Sequence, residues 1–295
     1  MIRKFFIFLF VLGVVAVVVL NFKTIKAIGQ ERIVSQQAAK ALEAQNWERA
    51  ITLYQQAHRE HPGNAPIALR LAWLDLMAHQ DQEAEALYRQ VLKDDPDQLE
   101  AAMGLAAMLT QDPQRINQAV LLLRQALKTH PNDARLIAQI GTIYKTAAEN
   151  PKETREENRK WLFDLATYYY RASLKLNGRQ FQTQFNLGVT NQATSNLQPA
   201  AQAYCQAIIL NPKSYESRYN LGLVLSDLNY LEEAYRQMDA AVDSLSERGD
   251  MESAQALAVR VQNVKNRVFN GSQQGLSSNV NPNFLDKNCL LQPAS

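Results

Sequence analysis

The apolar positions of this chain recur with a period longer than any single helix or strand. In the stretch AITLYQQAHREHP, Ala50, Tyr54 and Ala57 fall at i, i+4 and i+7, which is one face of a helix, and Pro62 stops that helix just beyond them. Thirty-four residues on, Ala84, Tyr88, Val91 and Pro96 repeat the arrangement, and Ala200, Tyr204, Ala207 and Pro212 repeat it again. A fixed period of this length predicts an array of helix pairs in which each unit buries its apolar face on the next. The fold class expected is therefore all-α.

Laid out by these markers, six units cover 31–64, 65–98, 99–133, 134–180, 181–214 and 215–248. Small residues mark the crossing in each first helix: Ala38, Ala72, Ala106, Gly141, Gly188 and Gly222. The fourth unit carries a charged insertion at about 145–160, in which Pro151 breaks the first helix and Thr154 opens a capping box with Glu157. Both helices of that unit are expected to be elongated. Its mixed charge reads as a solvated face, with a docking edge as the alternative. Residues 249–270 read as an amphipathic helix with Ala254, Leu257, Val261 and Val264 on one face. Asp250 starts it, Asn270-Gly271 ends it, and it closes the open end of the array. The stretch 271–295, rich in Ser, Asn, Gln and Pro, is predicted to be disordered.

Ahead of the repeats, Phe5 to Leu20 is uninterruptedly apolar and reaches Phe22 if Asn21 is tolerated. Eighteen helical residues span roughly 27 Å, close to the ~30 Å hydrocarbon core of a bilayer. Residues 1–22 are thus expected to be a transmembrane anchor and 23–30 a linker; no small-residue cleavage site follows. A removed signal peptide is the alternative. Arg3 and Lys4 precede the run, and Lys23, Lys26 and Arg32 follow it. A lone anchor with basic residues ahead of it keeps its amino end in the cytoplasm as a rule. That places the repeat domain on the far side of a bacterial inner membrane, in a single-pass protein.

Charge excludes one class of partner: 31 basic and 29 acidic residues are interspersed, so no basic stripe points to nucleic acid. Cys205 and Cys289 make no disulfide framework and have no metal-site spacing, and they leave the redox compartment undecided. His58 and His61 stand one turn apart without a third ligand, and His61 and His130 each precede a proline, as helix-end residues do. No phosphate-binding glycine loop, nucleophile elbow or Cys-His pairing is present. The chain is read as no enzyme, with no cofactor and no metal.

On these residues the chain resembles the tetratricopeptide repeat family over 31–248: a Leu-Gly or Leu-Ala pair in the first helix, then Ala, aromatic, Ala and Pro in the second. It departs from that pattern at Gln37 and Ser246. The resemblance implies a right-handed solenoid whose first helices line an inner groove for extended peptides or partner helices. Phe185-Asn186 and Tyr219-Asn220 are near copies in that groove, with Gln139 at the matching place in the fourth unit. An asparagine amide both donates and accepts, as a peptide backbone requires. The two aromatics either face the groove or pack between helices. The basic clamp of cochaperone domains is missing from Ile33 to Ala39. The function expected is a non-enzymatic, membrane-anchored scaffold or assembly factor that binds a segment of a protein partner in a membrane-associated complex. The alternatives are an exported soluble receptor and a regulatory subunit of a membrane enzyme complex.

Overall fold

The computed structural model describes residues 33–150, 156–273 and 282–290. The apolar run at 5–22, and Pro151 and Thr154 of the insertion, lie outside them. Every regular element described is helical, and none of these helices is long and apolar enough to cross a membrane. The chain divides into two compact units, Met1–Met108 and Leu109–Ser295.

The first unit holds α1 (33–43), α2 (Trp47–Glu60), α3 (Ala65–Met77), α4 (Asp81–Asp94) and the start of α5 (Leu99–Leu109). Side chains of Asn46 and Asn64 accept from backbone N–H groups at the starts of α2 and α3, satisfying donors a helix cannot satisfy itself. The proline is felt ahead of its own position: α2 ends at Glu60, and His61 is the cap before Pro62. Ala50, Tyr54 and Ala57 are buried, as are Ala84, Tyr88 and Val91, so the periodic face is the core face. Tyr88 lies so close to the opposing helix that a Cβ on Gly104 would meet its ring at 2.5 Å.

The second unit holds a short 3-10 turn (Pro113–Arg115), α6 (Ile116–Thr129), α7 (Ala134–Glu149), α8 (Glu156–Leu176) and α9 (Phe181–Ala193), followed by α10 (Leu197–Leu210), α11 (Tyr215–Asp227), α12 (Leu231–Glu247) and α13 (Met251–Gln273). The insertion lengthens both of its helices, to 16 and 21 residues. Each helix packs on the next in order, with α9 between α8 and α10 and α11 between α10 and α12. The last repeat is covered by α13, which buries Ala254, Leu257 and Val261 against Met238, Ala241 and Leu245. That helix runs on through Asn270-Gly271 to Gln273, because one interior glycine costs only about 1 kcal/mol.

Two expectations meet a different structure here. Within the stretch read as a disordered tail, residues 282–290 are packed, with Leu285 and Cys289 buried among Ala201, Ile208, Leu225 and Ala234. Cys289 is joined to Cys205 by a disulfide, their Cα atoms 5.3 Å apart. Polar composition sets the average behaviour of a segment; Phe284, Leu285 and Leu290 supply enough apolar surface to anchor this one where a covalent tie holds it in place.

Candidate functional site

Two tyrosines organise the second unit. Tyr170 in α8 and Tyr204 in α10 hold the same register thirty-four residues apart, and both are fully buried. Each hydroxyl donates back into its own helix pair, from Tyr170 to Thr142 Oγ1 at 3.1 Å and from Tyr204 to Gln192 Oε1 at 2.8 Å. The side-chain amides of Asn186 and Asn220, from the next pair, approach the two phenol oxygens. Burial holds both phenols above their ordinary range, and the donating amides pull the other way. The result is a relay of polar side chains that runs from α7 through α8 to α9 and from α9 through α10 to α11.

The relay places the expected groove residues. Asn186 is only 7% exposed, and its Oδ1 accepts from Gln182 Nε2 at 3.3 Å. Asn220 is half-buried beside the Tyr204 hydroxyl, with amide capacity to spare. Phe185 has two sides: its ring lies 5.8 Å from that of Tyr204, and it also lines a cleft of about 330 Å³ with Phe181, Gln182, Lys213, Glu216 and Arg248. Tyr219 packs against the cluster of Met238, Ala241 and Leu257. Gln139 is half-buried on α7 and does not line that cleft. The structure thus brings Phe185 to the cleft, ties Asn186 to the cleft residue Gln182 from behind, and leaves Gln139 and Tyr219 apart from it. Burial lowers the pKa of His58, while His61 caps α2. Among the described residues no group of three or more His, Cys, Asp or Glu is placed to hold a metal.

A second arrangement was not foreseen. The tail segment 282–290 lies against α10 and α12. Its Phe284 ring meets Tyr230 edge-on at 5.8 Å, and the Phe284 carbonyl accepts from Gln202 Nε2 at 3.3 Å. The Cys289 carbonyl accepts from Gln237 Nε2 at 3.1 Å. That glutamine is fully buried and spends its whole amide: Oε1 accepts from Arg218 at 2.9 Å, and Nε2 also donates to Glu233 at 2.7 Å. A segment of two successive turns, closed by the Leu285 N–H on the Pro282 carbonyl and the Cys289 N–H on the Asp286 carbonyl, is therefore held by side-chain amides on its carbonyls and by apolar side chains between helices. The only signals for this in the sequence were the two cysteines and the apolar residues flanking the second.

Residues 41–109 match the family model described as tetratricopeptide repeat. The repeat also relates the chain to known proteins at a distance. It is 26% identical over 168 residues to Protein O-mannosyl-transferase TMTC1 of Homo sapiens, taking in 57% of this chain. The chain spans only 18% of the length of that relative. A chain of the Cut9–Hcn1 hetero-tetramer of the APC/C shares its fold with a TM-score of 0.59 and 15% identity, over 78% of this chain and 42% of that one. YrrB, a TPR protein with an unusual peptide-binding site, is 18% identical over 71% of this chain and 97% of its own, with a TM-score of 0.46. At 15% identity the Cut9–Hcn1 chain speaks to the fold alone.

Proposed function

We propose that this protein is a non-enzymatic scaffold, anchored in a membrane by residues 5–22, whose repeats hold an extended segment of a protein partner at the cleft around Phe181 and Phe185. The observation that carries the reading is that cleft: Phe185 presents an apolar ring to it, Gln182 joins it to the Asn186 and Tyr170 relay, and Lys213 and Arg248 give it positive charge. Asn220 adds a half-buried amide one repeat on. Each backbone hydrogen bond to such an amide contributes only ~1 kcal/mol, so several act together, with the aromatic ring supplying apolar contact. The bond between Cys205 and Cys289 supports placing the repeats on the oxidising side of a bacterial inner membrane, since disulfides persist there and not in the cytosol.

A photo-cross-linking residue in place of Gln182, in the full chain and in intact membranes, is expected to capture a defined partner. The same residue at Leu121, exposed on α6, should capture none. Equal capture at both positions removes the cleft from the proposal. Sequencing the mature amino terminus tests the anchor: a start near residues 21–30 would favour an exported receptor in place of an anchored scaffold.

A further inference from the structure

The docked tail covers one surface of the last two repeats, and the chain carries an uncovered cleft at the matching register one repeat earlier. Thirty-four residues before Gln202, Cys205, Leu225 and Tyr230, all on or beside the tail, the same register places Tyr168, Arg171, Asn191 and Asn196. These four line a cleft of about 600 Å³ together with Asp164, Lys175 and Leu176. From Asp164 to Leu176 the cleft follows α8 for about 18 Å at the helical rise. That length suits five or six residues of extended chain.

Its chemistry differs from that of the tail's groove. Arg171 and Lys175 stand one turn apart with no ion-pair partner among the described residues, against a single carboxylate at Asp164. Tyr168 is 66% exposed and Leu176 is exposed beside it. Asn191 is 1% exposed; its Nδ2 donates to the Leu187 carbonyl at 2.9 Å, while its Oδ1 has no hydrogen-bond partner. A buried amide oxygen without a donor is unfavourable. Packing does not require it either, because leucine serves at the matching position 225.

We propose that this groove binds an extended segment of a partner protein that carries an acidic side chain beside apolar ones. The carboxylate lies between Arg171 and Lys175 in charge-assisted hydrogen bonds, apolar side chains cover Tyr168 and Leu176, and a donor from the segment satisfies Asn191 Oδ1. This surface runs along α8, with Asn191 of α9 and Asn196 ahead of α10 at its side, and is separate from the cleft at Phe185.

The test uses the full chain in detergent micelles and two fluorescein-labelled hexapeptides, Phe-Leu-Asp-Glu-Ala-Leu and Phe-Leu-Lys-Arg-Ala-Leu, followed by anisotropy. The acidic peptide is expected to bind at least tenfold more tightly than the basic one. In R171E/K175E that preference should reverse, an outcome that loss of folding could not produce. Asn191→Leu should weaken the acidic peptide about threefold without changing the melting profile. Equal affinity of the parent for both peptides, or an unaltered preference in R171E/K175E, overturns the proposal. So does loss of binding in Gln182→Ala with the charge-reversed chain unaffected, which would seat the peptide in the Phe185 cleft. If R171E/K175E instead dissolves a dimer of the chain, the occupant is a second copy and the partner-segment reading falls.

Discussion

Reducing the disulfide, or changing Cys289 to Ser, removes a tie between residues 84 apart in the chain. In the chain-entropy account, opening a loop of that length returns about 4.5 kcal/mol of freedom to the unfolded state at 25 °C, and measured losses run from about 2 to 5 kcal/mol. Undocking Phe284 and Leu285 from Tyr230 and the α10 face adds to the loss. For a folded unit of this size each kcal/mol moves the midpoint by about 2–4 °C, so a drop of about 10 °C is expected. The assay is helical circular dichroism on heating, with and without a phosphine reductant, beside thiol titration of the denatured chain. Unreduced protein should show no free thiol, and reduced wild type and Cys289→Ser should melt together. Two free thiols in the unreduced protein, or coincident melts before and after reduction, would refute the reasoning.

Tyr204→Phe should cost about 1 kcal/mol, by stripping the Gln192 amide oxygen of its donor, whereas Tyr204→Ala should cost about 3–4 kcal/mol in urea unfolding. Gly188→Ala places a Cβ 2.5 Å from the Tyr204 ring and should lose about 2–3 kcal/mol, while Gly63→Ala, with nothing within 4 Å, should lose almost none. Asp75 is 3% exposed in the last turn of α3, its Oδ1 unpartnered, and burial with the nearby Glu83 raises its pKa to about 6. The folded state thus holds the proton more tightly than the unfolded one, so the penalty of ionisation grows as pH rises from about 4 to 6 and is fully present above that. Asp75→Asn should therefore stabilise by about 1–2 kcal/mol at pH 7.5, after allowance for solvent screening, and hardly at all at pH 4, as read from melts at both.

The repeat period was legible because packing enforces it: Ala50, Tyr54 and Ala57 recur only if each second helix meets the same neighbours. The turns were less legible. Gln45, His79, Ser195 and Asn229 all take positive φ, between 57 and 65°, at the same place in four repeats. None is glycine, so the usual residue signal for a left-handed turn was missing. Asn186 was read as a groove residue because an amide has no reason to enter an apolar core; the tyrosine hydroxyl that gives it one lies on another helix, out of reach of any local pattern. The docked tail was hidden for a related reason. Two cysteines 84 residues apart have no spacing that betrays pairing, and the glutamines that receive the tail's carbonyls look like ordinary surface residues.

The tyrosine relay makes the array tolerant of changes in length, but only in whole steps. Excising residues 181–214 would bring Asn220 opposite Tyr170 in place of Asn186, and every buried hydroxyl would again find an amide. Excising a few residues more or fewer would orphan a phenol inside the stack. The covalent tie obeys no such rule: the same excision removes Cys205, puts Arg171 in its register and leaves Cys289 with nothing to join. Duplication and loss of repeats can therefore reshape the stack freely while the fastened tail pins its last two repeats to the form they have.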